Sequence, residues 1–193
     1  MKLNINLISH PLIQHLSNTA NNSIMIKNQN NQSAKYLGLL IIYETIRKWM
    51  RNYELNIKLV KSLKTVSIID PKESYTVIFN DLGHLSMCQE IQIVIPNTNL
   101  NLIHNHDIKI LKSNHQTDHS TSNKFNNKII IINDKLNIDY IQNLISVLIE
   151  QNNFQLNQIR VICISCETDK LIRISENKLY KNLEIYTTKI INN

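Results

Sequence analysis

Two apolar rhythms run along this chain, one helical and one extended. From Ser33 to Met50 (SAKYLGLLIIYETIRKWM), Leu37, Leu40, Ile41, Ile46 and Trp49 recur near helical spacing, with Glu44, Arg47 and Lys48 elsewhere on the wheel. That predicts an amphipathic helix. Leu55 to Ser67 reads as one or two strands, and Tyr75 to Phe79 (YTVIF) as a short buried strand opening into Asn80-Asp81-Leu82-Gly83. Ile91 to Ile95 (IQIVI) predicts another strand. Lys128 to Asn133 (KIIIIN) predicts a buried strand, followed by an apolar helix from Ile138 to Gln151. Gln158 to Ser165 gives the next strand, Asp169 to Tyr180 a short helix, and Leu183 to Ile190 a final strand. Strands separated by helices toward the C-terminus predict an α/β fold, with a mostly parallel sheet covered by helices.

Between Pro96 and Lys128 the rhythm weakens. One strand is expected at Asp107 to Leu111, and the stretch from Ser113 to Asn127 reads as a polar, partly flexible insertion. A length of 193 residues fits a single domain over 1–193 that buries its own core without disulfides or metal.

Composition changes how the polar stretches are read. Eighty of the 193 residues are Asn, Ile or Lys. Asn favours turns and Ile favours strands, so this bias has no structural logic and reads as the coding signature of an AT-rich genome. Asn clusters therefore carry little meaning by themselves.

The formal charge of +6 and the pI near 9.2 draw the chain toward acidic surfaces. Its only arginines are Arg47, Arg51, Arg160 and Arg173, and its lysines are scattered. That does not fit the arginine-rich surface of a sequence-specific nucleic-acid binder. No run approaches the ~20 apolar residues of a membrane span. The start, MKLNINLISHPL, has neither the apolar centre of a secretory signal nor the Arg- and Ser-rich character of a transit peptide.

Candidate chemistry is sparse. Cys163 and Cys166 form a C-x-x-C that closes a strand, with no second pair to complete a zinc site, so buried or strand-end thiols are the expectation and a metal or redox role the alternative. His104, His106, His115 and His119, with Asp107 and Asp118, crowd the polar tract, where a solvated loop is the simpler reading and a metal the alternative. Trp49 beside Arg47, Lys48 and Arg51 is a candidate interface anchor, because Trp and Arg recur at binding hot spots. The alternative is Trp at the edge of the core with a solvated basic turn.

The segments SHPLIQH (Ser9 to His15), YLGLLIIYETIRKW (Tyr36 to Trp49), IIDPKESYTVIFNDLGHL (Ile68 to Leu85), IIIIND (Ile129 to Asp134), IRVICIS (Ile159 to Ser165) and LEIYTTKI (Leu183 to Ile190) resemble uracil phosphoribosyltransferase. They occur in that family's order, cover almost the whole chain and look most like its cyanobacterial and algal plastid branch. The resemblance implies a phosphoribosyltransferase-type α/β fold and an ancestral transfer of phosphoribose to uracil.

The motifs that carry this chemistry are altered. A DPMLATGGS-type loop holds the 5′-phosphate in the family. Here Asp134 keeps the acidic position, while Ile138, Asp139, Tyr140, Ile141 and Gln142 stand where ATGGS is expected. Glycine lets backbone approach a phosphate, so Tyr140 and Ile141 are expected to fill that space and Asp139 to repel the ligand's charge. The ILRAGLG-type loop reads VIFNDLG, with Phe79 at the arginine position, Asp81 in place of a glycine, and Leu82-Gly83 retained. The uracil-binding tract would begin near Ile190, where this chain ends.

These departures imply a non-catalytic phosphoribosyltransferase-fold protein, with no cofactor and no metal, acting as a linker or scaffold. The AT-rich signature and the branch of the resemblance imply a plastid-encoded protein in the stroma or at the stromal face of the thylakoid. There an acidic assembly such as a phycobilisome or photosystem is the expected partner. The alternatives are a residual uracil phosphoribosyltransferase making UMP and an RNA-binding regulator. The apolar helix at Tyr36 to Met50 could support an oligomer.

Overall fold

A computed structural model describes residues 3–21, 27–60, 62–95, 97–104 and 127–192. Six parallel strands form the central sheet: β1 (Asn4–Leu7), β4 (Ser74–Phe79), β5 (Thr98–Leu102), β6 (Asn127–Lys135), β7 (Ile159–Glu167) and β8 (Glu184–Ile191). Their order is β1-β8-β7-β6-β4-β5. Two further strands, β2 (Asn52–Lys58) and β3 (Leu63–Ile69), make a separate antiparallel hairpin.

The four isoleucines of β6 show why the sheet is covered on both faces. Side chains alternate along a strand, so Ile129 and Ile131 enter one core with Tyr140, Leu144, Val161 and Leu171. Ile130 and Ile132 enter the other, with Ile13, Leu37, Ile41, Met87 and Ile162. The helices α1 (Pro11–Asn21), α2 (Lys27–Ile46), α3 (Leu85–Cys88) and α4 (Ile91–Val94) supply the second core. The helices α5 (Ile138–Glu150) and α6 (Thr168–Glu176) supply the first. A continuous apolar run is thus what a doubly covered parallel strand demands.

Glycine is needed at one close approach. A Cβ on Gly38 would lie 2.1 Å from the carbonyl oxygen of Met87, so α2 and α3 meet backbone to backbone there.

Several expectations change. Ile91–Val94 is helical and Ile95 caps it in extended backbone, with Ile91 and Ile95 buried and Ile93 and Val94 exposed, so the buried positions follow i, i+4 spacing instead of alternation. The helix α1 was not foreseen. The helix expected at Asp169 to Tyr180 ends at Glu176 and resumes as a 3-10 turn at Lys178–Tyr180. Asn127, placed in the polar insertion from the sequence, opens β6. The rest of that insertion, with the strand expected at Asp107 to Leu111, lies outside the described residues.

Candidate functional site

Chain direction along the sheet reverses between β4 and β6. From β4 the chain moves outward to β5, and from β6 it moves the other way to β7. The loops leaving the C-terminal ends of β4 and β6 therefore part, which opens a crevice of the kind where α/β sheets place ligands. A cleft of about 760 Å³ lies there. Asn80, Asp81 and His84 follow β4; Asn133, Asp134 and Lys135 end β6; Asp139 and Gln142 come from α5, and Lys170 and Arg173 from α6.

Local sequence explains how these groups are held. Asp81 accepts the Gly83 N–H at 2.9 Å and starts the 3-10 turn Leu82–His84, which carries His84 back over the end of the sheet. Asn137 caps α5 by accepting the Tyr140 N–H at 3.2 Å. This sets the first turn of α5 directly behind Asp134.

The closest charged contact in the cleft joins its two walls. His84 Nε2 lies 2.8 Å from Asp134 Oδ1, with the histidine side chain buried and the aspartate 64% exposed. The approach is bent away from ideal hydrogen-bond geometry, and Nδ1 has no hydrogen-bond partner among the described residues. Burial opposes the charged ring, but the contact and charge of Asp134, with Asp81 behind it, outweigh that and raise the imidazole pKa above its usual 6.5. The Asn133 carboxamide, 2% exposed, also has no hydrogen-bond partner among the described residues.

Charge in the cleft is mixed. Asp81, Asp134 and Asp139 face Lys135, Lys170 and Arg173, and Lys170 is already drawn 3.0 Å from Glu167. Asp139 occupies the first turn of α5, where the helix dipole would otherwise favour a bound anion. Among the described residues, no Ser, Thr, Cys or Tyr lines the cleft.

The residues singled out from the sequence divide between cleft and core. Asp81, Asp134 and Asp139 line the cleft. Tyr140 and Ile141 do not fill it. Both are buried in the core beneath it, and the Tyr140 hydroxyl donates to the Ile103 carbonyl at 3.1 Å. The apolar stripe of α5 must face the sheet, which turns these two side chains away from the loop side. Phe79 is likewise core. Gly83 has ordinary backbone, and among the described residues a Cβ there would meet only the Asp81 side chain, at 3.6 Å from Oδ1.

Trp49 is not a free anchor. Its ring packs against the second core, with the Arg160 guanidinium 4.4 Å from its centroid, Lys128 Nζ 5.3 Å away and the Tyr75 ring edge-on at 6.3 Å. Arg47 and Lys48 form an exposed turn beside it, and Arg51 lies 3.8 Å from Glu73. Cys88, Cys163 and Cys166 are buried free thiols. His104 is exposed with Nδ1 2.8 Å from the Asn80 carbonyl, while His106, Asp107, His115, Asp118 and His119 lie outside the described residues. Among the described residues no cluster of three or more metal-ligating side chains occurs.

Two arrangements escaped sequence reasoning. One is His84, which sits in an apolar turn and carries no local signal. The other is a row of charges at the opposite end of the sheet, where Lys128 pairs with Glu73, and Arg160 lies 2.8 Å from Glu184 while donating to the Thr45 carbonyl. A cation at the head of an otherwise apolar strand, as in KIIII and IRVICIS, was the available clue.

No family model matches the chain. It is 29% identical over 199 residues to a protein of Pyropia yezoensis named uracil phosphoribosyltransferase homolog, covering 100% of this chain and 91% of that one. A protein of the same name from Porphyra purpurea is 27% identical over 197 residues, covering 98% and 89%. Both come from red algal plastid genomes. The solved structure of the AQ2163 protein from Aquifex aeolicus superposes with a TM-score of 0.67 over 97% of this chain and 88% of that one, at 17% identity, a likeness of fold alone. Along nearly its full length the chain is thus similar to two proteins named uracil phosphoribosyltransferase homolog, at 27% and 29% identity.

Proposed function

We propose that this protein keeps the phosphoribosyltransferase fold without the reaction and acts in the plastid as an interaction component. The carrying observation is the chemistry of the cleft wall. Asp139 stands in the first turn of α5 and Asp134 at the end of β6, where the resemblance puts the 5′-phosphate loop. A unit charge about 4 Å from a like charge costs on the order of 4 kcal/mol at an effective dielectric of 20. Asp81 adds a third carboxylate, and the arginine expected in the family is replaced by Phe79, which lies in the core.

The obstacle is electrostatic more than steric, because Tyr140 and Ile141 leave the cleft open. That opening also supports a second reading, retained anion binding through Lys135 and Arg173, which line the same cleft. Calorimetry with phosphoribosyl pyrophosphate and with UMP separates the two. Absence of binding at millimolar ligand fits the interaction reading, and micromolar binding overturns it.

The partner we propose is an acidic assembly such as a phycobilisome or photosystem at the stromal face of the thylakoid, and the protein would serve there as a linker. Its support is the +6 charge together with the plastid origin of the relatives. Affinity capture from plastid extract at low salt tests it. Recovery of no photosynthetic component would refute this partner while leaving the non-catalytic reading to the calorimetry.

A further inference from the structure

The floor of the cleft between β4 and β6 holds polar groups that the fold leaves without partners. The Asn133 carboxamide is 2% exposed, and among the described residues neither its oxygen nor its nitrogen is hydrogen-bonded. Asn80 Oδ1, just past the end of β4, and His84 Nδ1 are buried in the same condition. All three side chains line the one cleft. A buried polar group costs stability unless something pairs with it, so each calls for an explanation. Asn133 calls for one most, because it follows Ile129 to Ile132, all of them core, where the sheet has no need of a carboxamide.

The set has a definite complement. Asn133 offers a donor and an acceptor, and Asn80 Oδ1 a second acceptor. The His84 ring turns Nε2 to Asp134, which favours its protonated form and makes Nδ1–H a second donor. Two donors and two acceptors match a primary carboxamide, which accepts through two lone pairs on oxygen and donates two hydrogens from nitrogen. A carboxylate has no hydrogen for the two acceptors. The imide edge of a pyrimidine has a single N–H and would leave one of them unpaired.

The rim adds a second requirement. Asp139, Lys135 and Arg173 are exposed, line the cleft and form no ion pair among the described residues. Unpaired charges of both signs above a polar floor suit a ligand that carries both. A nucleotide brings negative charge alone.

We propose that this cleft binds a free amino acid whose side chain ends in a carboxamide, glutamine or asparagine. Its side-chain amide would sit on Asn133, Asn80 and His84, its ammonium toward Asp139 and its carboxylate toward Lys135 and Arg173. The proposal extends the non-catalytic reading of the same cleft, and the two fail separately: binding of phosphoribosyl pyrophosphate refutes that reading, and absence of amino-acid binding refutes this one.

Isothermal titration calorimetry of the full chain with L-glutamine, L-asparagine, L-glutamate, uracil and N-acetyl-L-glutamine amide tests it. Glutamine or asparagine should bind about tenfold or more tighter than glutamate, uracil or the blocked glutamine. Asn133→Val should abolish binding while its urea midpoint equals or exceeds that of the parent, since a strand-forming apolar side chain replaces an unpaired buried amide. Arg173→Gln, at an exposed position, should weaken binding about tenfold with unchanged circular dichroism. No binding of either amino acid at millimolar concentration, equal binding of glutamate, uracil as the tightest ligand, or binding unchanged in N133V or R173Q would overturn the proposal. Equal binding of the blocked glutamine would also overturn it, and would assign the floor to a glutamine side chain of a protein partner.

Discussion

The ammonium of Lys128 and the carboxylate of Glu73 form an ion pair below the parallel sheet, with the lysine side chain 10% exposed and the glutamate 4%. The pair is embedded in a network. Glu73 also accepts the Tyr75 hydroxyl at 2.9 Å, and Lys128 donates to the Trp49 carbonyl. Burial lowers the lysine pKa, and Glu73 opposes that shift. Removing one partner leaves the other charge buried, so Glu73→Gln should cost about 3 kcal/mol in urea unfolding. The double variant E73L/K128M should lose less than the two single changes combined, because no orphan charge remains. Additive losses would show that the two groups act separately.

Gly38 offers a test of packing against propensity. Alanine is the better helix former by about 1 kcal/mol. Its Cβ would nevertheless lie 2.1 Å from the Met87 carbonyl oxygen, a backbone atom that cannot rotate aside. Gly38→Ala is expected to destabilise by about 2 kcal/mol or more. A urea midpoint equal to or above that of the parent would contradict the close approach of α2 and α3.

The His84–Asp134 contact predicts a pH dependence with a definite sign. Folding raises the imidazole pKa above 6.5 despite burial, through Asp134 first and Asp81 second. The stabilisation is fully present below the unfolded pKa and is lost as pH rises through the raised folded value. Titration of the His84 ring by NMR should give a pKa above 6.5. Asp134→Asn should lower it, since burial is then opposed only by Asp81. An unchanged titration in D134N would remove Asp134 as the cause.

The three thiols should behave as core atoms. Cys88, Cys163 and Cys166 are all 0% exposed, and burial pushes the Cys88 thiol up to about 12. Alkylation under native conditions should run roughly a thousandfold slower than for the unfolded chain, because it waits on opening. Added zinc should leave the thermal midpoint unchanged. Fast labelling of Cys163 or Cys166, or a rise in that midpoint with zinc, would restore the C-x-x-C as a working motif.

Much of the architecture could be read before folding. The strands β4, β6, β7 and β8 are short apolar runs bounded by polar residues, and a strand buried on both faces can hardly be written otherwise. The helix α5 was legible because Leu144, Ile145 and Leu148 keep helical spacing after a capping Asn137. The IQIVI segment misled because its five residues fit alternation and i, i+4 spacing alike, and such a short run cannot separate the two.

Sequence by itself determined the layered α/β sheet and the family likeness, because both are written in local apolar periodicity and in the order of segments. Tertiary structure alone decided the site. It turned Tyr140 and Ile141 into the core while leaving Asp139 on the cleft, brought His84 to Asp134 across 50 positions of chain, and packed Trp49 against Arg160. The physical reason is that periodicity records which face of an element is apolar. It does not record which distant element that face, or the polar residues beside it, will meet.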